Sequence, residues 1–184
     1  MSQVRGPSPP VASRRPPNHR PHRYLASNGR GILGGDIDIG GRTKRMNIYF
    51  SCSLTGGRAD EAIYGHIVEH LLAGGHEVPT AHLAKSEVMD LERVVDPADV
   101  YARDVAWIDG CDALIAEVST PSHGVGYEIA LALARAKPVL CCYRTGRPVS
   151  KMITGNDSAG LQVRDYQTEA HALTIVDRFL DSLA

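Results

Sequence analysis

The chain has 184 residues, 43% of them hydrophobic, and a formal net charge of −1, which suits one domain with a real core. No apolar run approaches the ~20 residues that a membrane-spanning helix needs, and the first residues lack the apolar stretch of a secretory signal. The charge is uneven: residues 1–45 hold nine Lys/Arg against two acids, and the remainder holds eleven against nineteen.

Residues 1–45 also carry six of the eleven prolines and few large apolar side chains. Such a segment cannot bury enough surface to offset its ordering entropy, so a disordered basic tail is expected there. Tyr24 is its only aromatic, which gives little for stacking nucleic-acid bases, and no stable nucleic-acid or membrane partner is expected. An equally weighted reading places the natural start at Met46, where the first strand begins. The expected organisation is a tail over 1–45 and a catalytic domain over 46–184.

Met46–Phe50 (MNIYF) reads as a short buried strand, followed by the loop SCSLTGG. Arg58–Ala73 has apolar residues at helical spacing and ends at Gly74-Gly75. His76–Thr80 (HEVPT) is a second, weaker strand, and residues 83–95 read as helical. Asp96-Pro97 starts the next helix, an N-cap acceptor followed by proline at the first helical position, and that helix runs to about Ile108. Ala113–Val118 is a buried strand, and the loop STPSHG leads to a helix expected over Gly126–Ala136. Pro138–Tyr143 is an apolar strand, Val149–Ile153 a helical turn, Leu161–Tyr166 a last strand and Thr168–Leu183 a last helix.

Strands alternating with helices predict an α/β fold of three layers: a five-stranded parallel sheet of Rossmann or flavodoxin-like type, with helices on both faces. Ligands in such sheets bind beyond the carboxyl ends of the strands, where the strand order reverses. The loops after the first and third predicted strands would then line one crevice. Cys52, Cys111, Cys141 and Cys142 form no CxxC pair and read as small buried hydrophobes of a reducing cytoplasm. No HExxH motif occurs, and neither a metal nor a cofactor is expected.

Each crevice loop is rich in serine and glycine just before a helix, where unpaired N–H groups and the helix dipole suit a phosphate. The first supplies Ser51, Ser53, Gly56 and Gly57, the second Ser119, Thr120, Ser122, Gly124 and Gly126. Neither matches GxxxxGK[ST], which excludes a P-loop hydrolase. Taken singly, either loop is more often an ordinary turn. Glu128 lies one turn into the second helix, complementing its dipole or aimed into the crevice. Asp104 reads, on spacing alone, as a solvated helix acid. Tyr49 reads as a core aromatic near the crevice. Two carboxylates facing one pocket would suit glycosidic cleavage.

Four ordered blocks carry a resemblance: IYFSCSLTGGR, RDVAWIDGCDALIAEVSTPSHGVGYE, KPVLCCYR and GRPVSKMI. Through them residues 46 to about 180 resemble the 2′-deoxynucleoside 5′-phosphate N-hydrolases, relatives of the nucleoside 2-deoxyribosyltransferases. The resemblance implies a cytoplasmic homodimer that cleaves deoxynucleoside monophosphates to free base and 2-deoxyribose 5-phosphate. It assigns the nucleophile to Glu128, the second carboxylate to Asp104 and the strand tyrosine to Tyr49. Phosphate contacts fall on Ser53, Ser122 and Gly124, with Ser150 lent by the partner subunit; Ser51, Gly56 and Arg58 complete the expected site. Where the family often has arginine before Gly-Gly this chain has Thr55, leaving Arg58, or Arg147 from the partner, to replace it. The alternatives are a deoxyribosyltransferase, a CMP-type ribonucleotide N-hydrolase, and a non-catalytic nucleotide-binding module.

Overall fold

The computed structural model describes residues 44–54, 60–84 and 95–184. The expected tail up to residue 43, the segment Thr55–Ala59 with Gly56 and Arg58, and most of the helix expected over 83–95 lie outside the described residues. Four strands form one parallel sheet in the order β1 (Ile48–Ser51), β2 (Ala113–Glu117), β3 (Val139–Arg144) and β4 (Leu161–Tyr166). Helix α1 (Glu61–Ala73) follows β1, α2 (Pro97–Gly110) precedes β2, and α3 (His123–Ala134) links β2 to β3. The one-turn α4 (Lys151–Thr154) precedes β4, and α5 (Glu169–Asp181) follows it.

Side chains alternate across a strand, and here the alternation divides the core in two. Ile48, Phe50, Ala113 and Ile115 pack with α1 and α5, while Tyr49, Leu114 and Ala116 pack with Ile108 of α2 and Ile129 of α3. The sheet is thus the middle of three layers, as expected.

The second predicted strand is a correction. HEVPT contributes only a parallel bridge between Asn47 and Glu77, on the side of β1 away from β2. Pro79 has no N–H for a ladder. The edge amide of Phe50 is met instead by the Thr80 hydroxyl, at 2.9 Å. The chain therefore leaves β1 to one side and returns on the other, so the order reverses between β1 and β2.

The caps explain the helix limits. The Asp96 carboxylate accepts from the Ala98 N–H at 2.8 Å, and Pro97 opens α2. At the end of α1, Gly75 adopts φ 84°, a left-handed turn that glycine makes without strain. α3 starts three residues earlier than the sequence predicts, because Ser122 is its N-cap. Gly124 and Gly126 therefore lie inside its first turn and not in the loop.

All four cysteines are free and buried. His66 and His70 stand one turn apart on α1, a spacing that the sequence reading passes over. Each meets an acid of α5: His66 pairs with Glu169 at 2.8 Å and His70 with Asp177 at 2.6 Å.

Candidate active site

Two residues apart on β1, Tyr49 and Ser51 point to the same face of the sheet, toward α2 and α3. Glu128 on α3 meets them there. The Ser51 hydroxyl donates to Glu128 Oε2; Ser51 is buried and Glu128 half-buried. Ser51 was expected among the phosphate contacts; the structure gives its hydroxyl to the carboxylate.

Tyr49 is 1% exposed, and its phenol oxygen has no aligned hydrogen-bond partner. Burial raises its pKa far above the usual range, and the nearby Glu128 and Asp104 carboxylates raise it further. The phenol is therefore a neutral wall of the site. Burial also raises the pKa of Glu128. The Ser51 hydrogen bond opposes that shift, the Asp104 charge adds to it, and the neighbouring Tyr49 hydroxyl opposes it more weakly.

Asp104 is no freely solvated helix acid. Its side chain is 19% exposed, and Arg103 Nε donates to its Oδ1 at 2.9 Å. The Arg103 guanidinium lies over the Trp107 ring, 4.9 Å from its centre. Asp104 and Glu128 face a common cavity of about 240 Å³ between α2 and α3. Apolar Val100, Val105, Ile108 and Leu131 line its walls, and the exposed Tyr101 and Tyr127 stand at it with hydroxyls 3.3 Å apart.

The other oxygen of Glu128 faces the start of α3. A methyl group placed on Gly124 would sit 4.0 Å from Glu128 Oε1 and 3.9 Å from Ser122 Oγ. The absent side chain thus leaves open space between the carboxylate and the helix N-terminus. The Ser122 hydroxyl accepts from the Val125 N–H at 3.5 Å, so its own proton remains available to donate. Ser53 is fully buried, and among the described residues its hydroxyl has no partner.

Ser150 is exposed and caps its own short helix, accepting from the Met152 N–H at 3.3 Å. With Ser122 it lines a second, mostly apolar groove of about 690 Å³ beside α3. The structure places Arg147 against its own chain: Arg144 and Arg147 approach the buried Asp60 at 3.7 and 3.9 Å.

Sequence reasoning missed one polar centre. On the α1 and α5 face Glu117 is fully buried at the end of β2. It accepts from Ser119 N at 3.2 Å, from the Ser119 hydroxyl, and from Tyr166 OH at 2.9 Å. A glutamate closing the apolar run ALIA was its only sequence signal.

The chain also resembles known proteins. The model of the nucleoside 2-deoxyribosyltransferase family matches residues 48–174. A 5-hydroxymethyl-dUMP N-hydrolase of Rattus norvegicus is 38% identical over 147 residues, covering 77% of this chain and 89% of the relative. The protein of that name from Esox lucius is 42% identical over 130 residues, covering 67% and 89%. Among solved structures, the Clostridium botulinum CMP N-glycosidase BcmB aligns with a TM-score of 0.57 at 20% identity, over 72% of this chain and 99% of its own. At that identity the likeness speaks for the fold.

Proposed function

The chain belongs to the nucleoside 2-deoxyribosyltransferase family, and from that premise we propose that it hydrolyses the N-glycosidic bond of 2′-deoxynucleoside 5′-monophosphates. The observation that carries this reading is the pair of carboxylates at one cavity. Glu128 is held by Ser51 on one oxygen and faces open space with the other, and the Asp104 charge acts on it.

In this reading the 5′-phosphate rests on the first turn of α3. There the unpaired N–H groups and the Ser122 hydroxyl donate to it. Ser53, buried with no hydroxyl partner among the described residues, is a further donor. The anomeric carbon then lies over Glu128, one turn along. Glu128 Oε1 attacks that carbon and forms an ester, and the carbon–nitrogen bond breaks. The departing base keeps the electron pair of that bond and takes a proton from Asp104, which enters this step protonated. Asp104 then removes a proton from water, which opens the ester and releases 2-deoxyribose 5-phosphate. A sugar without a 2′-hydroxyl opposes the oxocarbenium-like transition state least. The apolar cavity between α2 and α3 suits the flat base.

The experiment is a panel of deoxynucleotides, CMP and unphosphorylated nucleosides, scored for released base and sugar phosphate. The expected outcome is release from deoxynucleoside monophosphates first. Tight binding of every nucleotide with no product would support a binding module instead. A new nucleoside formed with an added acceptor base would support a transferase.

The reading extends to a homodimer of the cytoplasm. The outward side of α3 carries exposed Gly126, Tyr127 and Ala130, and the adjoining groove is walled by Val125, Ile129 and Leu133. Met152, 84% exposed, stands at its rim. Such a patch favours a partner surface, and a second copy would carry Ser150 toward the phosphate. Mixing inactive Glu128→Gln with an inactive variant bulky at position 150 should restore activity in exchanged dimers. Exchanged dimers that stay inactive would assign Ser150 to its own chain's site.

A further inference from the structure

We propose that Ser51 is a positioning residue for the nucleophile, pinning Glu128 Oε2 so that Oε1 alone faces the reacting carbon. The inference rests on the reading of Glu128 given above. Nothing in the family pattern quoted for this chain requires it, since spacing alone placed Ser51 among the phosphate contacts.

The geometry separates the two oxygens. Ser51 ends β1, and its backbone is held in register with Ala116 of β2. Ser51 is 2% exposed, so its hydroxyl has little access to solvent. It donates to Glu128 Oε2 from the strand side. Oε1 lies on the other side, within 4.0 Å of the space that a side chain on Gly124 would fill. A glutamate side chain on a helix is otherwise free to turn about its last bond, which exchanges the two oxygens. A rigid strand holding one oxygen removes that freedom, and the attacking atom is oriented before substrate arrives. Tyr49, its phenol enclosed beside the carboxylate, is the other hydroxyl that acts on Glu128, though without an aligned hydrogen bond.

The same hydrogen bond favours the ionised carboxylate. The nucleophile acts ionised, so weakening the bond lowers the active fraction at a given pH. The acid limb of the rate profile then moves to higher pH. A phosphate ligand behaves differently: its loss raises KM for the monophosphate and leaves that limb in place.

The test uses the full chain with Ser51→Ala, the near-isosteric Ser51→Cys and the hydroxyl-retaining Ser51→Thr, beside Glu128→Gln. Circular dichroism and thermal melting identify the variants that fold. A hydrogen bond to a charged group corresponds to about a 10- to 100-fold fall in kcat on removal. Ser51→Ala is expected to show that fall, with KM for a deoxynucleoside monophosphate little changed and the acid limb moved upward. Ser51→Cys, a weaker donor, is expected to lie between, and Ser51→Thr to recover most of kcat and return the limb. A folded Ala or Cys variant with a raised KM and unmoved kcat and limb overturns the proposal in favour of phosphate binding. Lost kcat with an unmoved limb overturns it in favour of packing alone. Activity retained by Glu128→Gln would instead remove the underlying reading of the nucleophile.

Discussion

Gly124→Ala isolates the space on which the catalytic reading depends. The added methyl would lie 3.9 Å from Ser122 Oγ and 4.0 Å from Glu128 Oε1, both ordinary contact distances. The free protein therefore has nothing to rearrange. Gly124 sits in the first turn of α3, where alanine favours the helix by at most about 1 kcal/mol over glycine. Thermal stability should be unchanged or slightly raised. Substrate meets a different situation. A carbon poised for attack stands about 3–3.5 Å from the nucleophilic oxygen, and a methyl 4.0 Å from that oxygen occupies part of the same volume. Crowding a well-packed site by one carbon costs about 1–3 kcal/mol, or about 5- to 150-fold in kcat/KM. Steady-state kinetics on a deoxynucleoside monophosphate, run beside a thermal melt, gives both numbers. A variant within twofold of the parent in kcat/KM would show that the sugar phosphate does not pass over Gly124.

Two further substitutions test other links of the argument. Asp104→Asn should slow base release by about 10²- to 10⁴-fold, the usual range for a positioned acid or base. A substrate whose leaving group needs no proton should be partly spared, and equal losses on every substrate would leave Asp104 an electrostatic role only. Ala136→Gly should raise stability by about 0.5–1 kcal/mol. Ala136 holds φ 55° after α3, which costs alanine about 1–2 kcal/mol and is only partly offset by glycine's greater freedom in the unfolded chain. A melting temperature that fails to rise by about 1–4 °C would show that the turn is not strained.

The layers of the fold were legible because alternation and helical spacing are local. The buried runs IYFS, ALIAE and VLCC could not be loops, and Asp96-Pro97 announced its helix. HEVPT misled because it has strand-like composition, while the loss at Pro79 and the Thr80 hydroxyl on Phe50 depend on what lies beside them. The α3 boundary slipped because two glycines look like loop, yet a serine cap before them suffices to start the helix. Glu128 and Asp104 were assigned by resemblance and not by physics. Their convergence depends on two helices meeting over one cavity, which no spacing in the chain encodes. The Ser51 contact spans 77 residues and was invisible for the same reason.

The Thr80 hydroxyl at the margin of the sheet bears on how this chain can meet its own copies. In a parallel edge strand only alternate amides face outward, and on β1 these are Ile48 and Phe50. Ile48 N–H is taken by the Glu77 carbonyl at 2.8 Å and Phe50 N–H by Thr80 at 2.9 Å. At the opposite margin β4 carries exposed Arg164 and Asp165. Among the described residues, the outward amides of one margin are taken and the other margin is charged, so neither is a ready template for an added strand. Self-recognition through backbone pairing, the route that leads to fibrils, is thereby discouraged.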